Sequence, residues 1–140
     1  MPAAISVSLH EKNGLVLFIG KARCARCHDG PNFTDNKFQN TGIGNIDDPG
    51  RYSVTRLEAD RGAFKTSSLR NIELHPPYVH EGSLPTLRAV IDYYDHGGNH
   101  RAGQSPFVMK IGLTENEKRD LTRFLGALTD VATASASPRK

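Results

Sequence analysis

The chain has 140 residues, 37% of them hydrophobic and 24% charged, with a mean hydropathy of −0.47. That allows one domain with a modest protein core and little room for a second. No apolar run approaches the length of a membrane span, and the N-terminus lacks the basic and apolar regions of a secretion signal. The net charge of +3 is spread along the chain, not gathered into a stripe suited to nucleic acid.

Residues 1–10 carry no strong pattern and read as an N-terminal extension. From Glu11 to Ala22, Leu15, Val16, Phe18 and Ile19 recur at helical spacing and predict a helix with those four residues on its apolar face. Gly14 is a poor helix former and marks the place where a second helix would cross.

The stretch Cys24-Ala25-Arg26-Cys27-His28 follows directly. Two cysteines three apart with a histidine after the second form the attachment signature of a c-type haem. Each thiol can add to one porphyrin vinyl group, and the adjacent imidazole then lies under the iron. A thioredoxin-like redox pair and half of a zinc site are the competing readings. The first lacks a surrounding βαβ pattern. The second lacks further thiolates, since these are the only cysteines in the chain. One covalently held haem c would also supply apolar bulk that the composition lacks. Such attachment takes place outside the cytoplasm, so a periplasmic protein is expected, with its signal sequence not present in this chain.

After His28, Asp29 to Asp35 and Asn40 to Gly50 are rich in turn residues and predict a long loop packed onto a ligand, with Phe33 and Phe38 as anchors. Arg51 to Asp60 fits a short helix or an extended piece equally well. His75-Pro76-Pro77 must leave helical geometry. A second helix is predicted over Ser83 to Asp95, with Leu84, Leu87, Val90, Ile91 and Tyr94 on one stripe and Gly97-Gly98 at its end. A third starts at Thr114, whose partner Glu117 completes a capping box, and presents Leu121, Phe124, Leu125 and Leu128 inward. Residues 130–140 are small and polar and read as a disordered tail. The expectation is an all-α, cytochrome-c-like domain over residues 11–129, with three main helices and long haem-packing loops. Gly14 and Phe18 would meet Phe124 where the first and last helices cross. Phe124→Ala would then cost about 3–5 kcal/mol if the site is buried.

Several ordered motifs carry a family resemblance. They are Gly20 to His28, Gly30-Pro31-Asn32-Phe33-Thr34-Asp35, Phe38 to Gly42, Asp60 to Asn71, Pro77 to Ser83, and Tyr93-Tyr94 to Gly98. Together they resemble the C-terminal haem domain of the bacterial di-haem cytochrome c peroxidases. The related di-haem enzymes that mature the quinone cofactor of methylamine dehydrogenase share them. The resemblance implies that this domain holds the electron-accepting haem, with peroxide reduced at another. With one CxxCH only, the peroxidatic half is absent from this chain.

The sixth iron ligand is read in two ways. Chemical habit points to Met109, the only internal methionine. The family register points to Tyr94, fourteen residues after His80, where the peroxidases carry methionine and the quinone-maturing relatives tyrosine. Tyr94 is favoured. Met109, an open position, or one of His75, His80, His96 and His100 are the alternatives. Arg70 and Lys65 are candidate partners for the haem propionates, and His80 resembles a family histidine near the haem. The family's calcium site, on carbonyls matching His75 and Pro77, would lack the side-chain ligand of the other domain. The expected function is a mono-haem electron carrier working with a redox partner or a second haem domain. A peroxidase or oxidase acting at this haem, through an open or tyrosine-ligated iron, is the alternative.

Overall fold

A computed structural model describes residues 6–130 and 132. Helix α1 spans Leu9–Ile19, starting two residues before the sequence expectation. Its start is fixed by a capping box: Ser8 accepts from the Glu11 N–H, and the Glu11 carboxylate reaches back to the Ser8 N–H at 2.6 Å. A short helix α2, Tyr52–Thr55, lies in the stretch that the sequence left undecided. Helix α3 spans Leu87–His96, beginning four residues later than expected. Pro85 holds Leu84 extended, where Leu84 pairs with Tyr78 across an isolated bridge, and Thr86 caps the helix instead. Helix α4, Glu115–Ala127, begins on the predicted Thr114–Glu117 capping box. Single 3₁₀ turns lie at Cys24–Arg26, Glu58–Asp60 and Ile72–Leu74.

The all-α expectation is corrected by a two-stranded antiparallel sheet. Strand β1, Phe38–Gln39, pairs with β2, Phe64–Lys65, in the register Phe38 to Lys65 and Gln39 to Phe64. The Thr66 N–H extends the ladder to the Lys37 carbonyl at 2.8 Å. Two-residue strands are too short for an alternating pattern to show in a sequence. It matters for the site because it clamps the loop after His28 to the segment around residues 64–70.

The core joins α1, α3 and α4 through Phe18, Leu87, Ile91, Leu121, Phe124 and Leu125, with Ala22 and Tyr78. The α1–α4 crossing falls at Gly14, as predicted. A Cβ there would lie 2.2 Å from the Asp120 carbonyl oxygen and 2.5 Å from the Phe124 Cβ, so only glycine lets the backbones approach this closely. The Phe18 and Phe124 ring centroids are 5.1 Å apart. The expected apolar face of α1 is corrected: Phe18 is buried, but Val16 and Ile19 are 70% and 63% exposed, and Leu15 is exposed too. The buried stripe instead runs through Gly14, Leu17 and Phe18. Phe38 is also corrected as an anchor. It lies exposed on β1 beneath the Arg51 guanidinium, 3.9 Å from the ring centroid. The expected tail falls almost wholly outside the described residues. Its first residue, Asp130, is tied to the Asn71 side chain by its N–H at 2.7 Å.

Candidate haem site

The end of α1 delivers the two thiols. After the helix, Arg23 adopts a left-handed conformation (φ 58°), and the chain turns so that both the Cys27 and His28 N–H groups reach the Cys24 carbonyl. The next residues fold back: the Asp35 N–H donates to the Cys27 carbonyl at 2.8 Å. Phe33 sits at the tip with a positive φ of 52°, a conformation that costs a non-glycine residue energy and is held only where packing over-determines it. That packing is visible, since the Phe33 ring lies edge-on to both Phe18 and Phe124, at 6.0 and 6.3 Å.

The strained tip has a use. The Phe33 carbonyl accepts from His28 Nδ1 at 2.9 Å. An imidazole that donates through Nδ1 presents a lone pair at Nε2, the arrangement in which a histidine ligates a metal with its orientation fixed. Burial lowers the His28 pKa, against the carbonyls of Phe33 and Ser67 and the charge of Asp35, and so favours the neutral, ligating form.

The thiols are tuned the other way from a redox pair. Burial pushes Cys24 up to about 12, and Cys27 is raised by burial and then by the charges of Asp35 and Asp29. A thioredoxin-like pair needs one thiol lowered, so this environment does not suit that chemistry. Nor does it build a zinc site: among the described residues no three His, Cys, Asp or Glu side chains come together as a metal-binding group.

Tyr94, in the last turn of α3, belongs to the same space. Its hydroxyl is raised above the ordinary phenol range by burial first, then by Tyr93, Cys24 and Cys27, with a Thr41 hydrogen bond opposing. Cys24 and Phe33 pack against the core to which α3 contributes Leu87 and Ile91, so the Cys24–His28 turn and α3 border one core. Cys24, His28 and Tyr94 are each half-buried. Beside Tyr94, Tyr93 donates to the Thr41 carbonyl at 2.7 Å, pinning the loop after β1 to α3.

The other candidates lie elsewhere. Met109 is 48% exposed, with its sulfur against the Arg23 guanidinium. Lys65 is exposed and donates to Asn36 Oδ1 at 3.1 Å. Arg70 is exposed, donates to the Pro31 carbonyl and lies over the Phe33 ring. His80 stacks on Phe64 with centroids 3.6 Å apart, beside Asp48, while its neighbour Glu81 accepts from the Asn45 N–H. His75, His96 and His100 are exposed. Sequence reasoning missed the Phe33 carbonyl, Thr41 and Tyr93 as parts of the site. Backbone acceptors and cross-chain hydroxyls leave no spacing signal.

Two protonated thiols, an imidazole with its Nδ1 satisfied and a half-buried tyrosine fit a covalently attached haem. Comparisons with known proteins agree. No family model matches the chain. The methylamine utilization protein MauG of Methylorubrum extorquens is 38% identical over 136 residues, covering 96% of this chain and 38% of the relative. Cytochrome-c peroxidase IdrP1 of Pseudomonas sp. (strain SCT) is 33% identical over 150 residues, covering 85% of this chain and 40% of the relative. The chain thus spans about two-fifths of the length of these curated relatives. A solved MauG-like protein associated with microbial copper homeostasis superposes with a TM-score of 0.87 at 34% identity, covering 94% of this chain and 50% of that one. The sequence relatives, the shared fold and the haem-attachment turn together place this chain in the family of MauG and the bacterial di-haem cytochrome c peroxidases, as the counterpart of its C-terminal haem domain.

Proposed function

We propose that this chain is a mono-haem electron-transfer domain, closed on both faces of the iron by His28 and Tyr94. The observations that support this reading are a half-buried Tyr94 on the helix whose Leu87 and Ile91 share a core with Cys24, and Met109 at the surface against Arg23. When bound, haem c supplies a one-electron centre whose two axial positions the protein can fill.

Each residue has a role in that arrangement. Cys24 and Cys27, just beyond α1, would hold the porphyrin by thioethers. His28 would be one iron ligand, oriented by the Phe33 carbonyl, and the Phe33 ring packs the site against the α1–α4 core. Tyr94 would supply the second ligand. Burial favours its neutral phenol, and a nearby cation would favour the phenolate. A phenolate–imidazole pair favours the oxidised state and lowers the potential. Arg70 and Lys65 would serve the haem propionates by exchanging their present neutral acceptors for carboxylates, which bind cations more strongly. Among the described residues no helix is long and apolar enough to cross a membrane. Covalent haem attachment supports a periplasmic location, with a redox protein or a second haem domain as partner.

The test is the ferric and ferrous absorption and electron paramagnetic resonance spectra of the haem-loaded chain beside Tyr94→Phe and Met109→Leu. A six-coordinate, low-spin spectrum altered by Tyr94→Phe and untouched by Met109→Leu is expected. An unchanged spectrum in Tyr94→Phe, or a changed one in Met109→Leu, would overturn the ligand assignment.

A further inference from the structure

Lys118 is an unusual residue for its place. It lies in the first turn of α4 with only 9% of its side chain exposed, and its Nζ spans two carboxylates of α3: Asp92 Oδ1 at 2.8 Å and Asp95 Oδ2 at 2.9 Å. A buried ion pair is seldom the most stable way to fill such a space, because desolvating the charges offsets much of their attraction. An apolar side chain of the same length would pack as well. What the ammonium adds is direction. One nitrogen bonded to carboxylates three residues apart grips one face of α3 and fixes its rotation about its own axis.

Asp95 extends the grip. Its other oxygen accepts from the Gly112 N–H at 2.9 Å and the Leu113 N–H at 2.7 Å, and its carbonyl accepts from the Ile111 N–H at 3.1 Å. The following segment therefore closes over the last turn of α3. Contact is tight there too: a Cβ on Gly97 would lie 2.6 Å from the Lys110 nitrogen. On its other side, α4 is locked to α1 at Gly14, two residues along from Lys118, through the Asp120 carbonyl and Phe124. A continuous set of contacts thus runs from Gly14 in the middle of α1, through α4 and Lys118, to Asp95 and its neighbour Tyr94.

We propose that Lys118, acting through Asp95, is a positioning residue that holds Tyr94 at the distal side of the haem. The inference rests on the reading of Tyr94 as distal ligand. Neither residue touches the iron. They set the rotation and depth of the turn from which the phenol projects, and so whether the phenol reaches ligating distance.

The experiment compares spectra and folding of haem-loaded wild type, Tyr94→Phe, Lys118→Met, Asp95→Asn and Asp92→Asn, with haem content and far-ultraviolet circular dichroism measured for each. Lys118→Met is expected to keep its haem and helix content but lose the spectral signature that Tyr94→Phe also loses. Asp95→Asn should shift in the same direction more weakly, because its amide oxygen still accepts from Gly112 and Leu113. Asp92→Asn, at a more exposed carboxylate, should leave the signature in place. If Tyr94→Phe alters the spectrum and a folded Lys118→Met does not, the positioning role is overturned while the ligand assignment stands. If Tyr94→Phe changes nothing, the ligand assignment fails and the inference falls with it. Should Lys118→Met fail to fold, Asp95→Asn decides, and a wild-type spectrum there overturns the proposal. An Asp92→Asn effect equal to that of Asp95→Asn also overturns it, since charge alone would then be acting.

Discussion

If His28 ligates the haem iron as proposed, its behaviour is set largely by a group that is not a ligand. Its Nδ1 is occupied by the carbonyl of a phenylalanine held at a φ of 52°, so the orientation of the imidazole depends on the packing of the Phe33 ring. The cysteines depend on their setting in the same way, since burial keeps both thiols protonated. If each forms one thioether, Cys24→Ser and Cys27→Ser each leave one vinyl group conjugated with the porphyrin. The expected result is haem still bound covalently, with the pyridine haemochrome band moved to longer wavelength in both single variants. An unmoved band in either would show that the cysteine carries no bond. CxxCH was fully legible in the sequence because the chemistry demands contiguous residues. The Phe33 carbonyl was not legible, because any residue has one.

Among the elements, legibility followed side-chain capping and close approach. The Thr114–Glu117 box and the Gly14 crossing were both readable, because each needs a particular residue type at a particular place. The equivalent Ser8–Glu11 box starts α1 two residues ahead of its apolar periodicity, so the periodicity alone places the helix start too late. The apolar face of α1 misled for a different reason: Leu15, Val16 and Ile19 are apolar and exposed, so periodicity alone did not identify the buried side. Lys118 gave no signal, sitting in a run of charged residues that reads as a solvated face.

The α3–α4 ion pair makes a prediction about pH. Asp92 is lowered from its ordinary 3.8 chiefly by the Lys118 hydrogen bond. For Asp95, burial acts upward but is outweighed by the Leu113 N–H, Lys118 and the Gly112 N–H. Lys118 is raised from 10.5 by the same two carboxylates. A carboxylate with a lowered folded pKa binds fewer protons than its unfolded counterpart, so its stabilisation is present above 3.8 and is lost as pH falls through the folded value. The lysine contribution is complete below 10.5 and is lost as pH rises through its folded value. Urea midpoints of the haem-loaded chain should therefore hold a plateau between those limits and fall on the acid side. Lys118→Met should flatten the acid slope, and an identical slope in that variant would show that the pair contributes nothing.

At the scale of the whole molecule, the chain corresponds to about two-fifths of MauG and of the IdrP1 peroxidase. In the proposed reading, the haem held here passes electrons and does not meet substrate. The haem-loaded chain alone should then consume hydrogen peroxide slowly, as followed by loss of peroxide absorbance. Turnover at rates typical of an enzyme, roughly 1–10³ per second, would mean that the iron is open to peroxide and that Tyr94 does not close it. The formal charge of +3 becomes +1 once two propionates are counted, so charge alone gives the molecule little long-range pull on a partner.

The position of Met109 has a consequence for the lifetime of such a protein. A thioether bound to iron is shielded from oxidants, whereas one standing half in water beside Arg23 is converted readily to the sulfoxide. Where peroxide is present, Met109 would record that exposure as added oxygen on a sulfur that, in the proposed reading, is not an iron ligand.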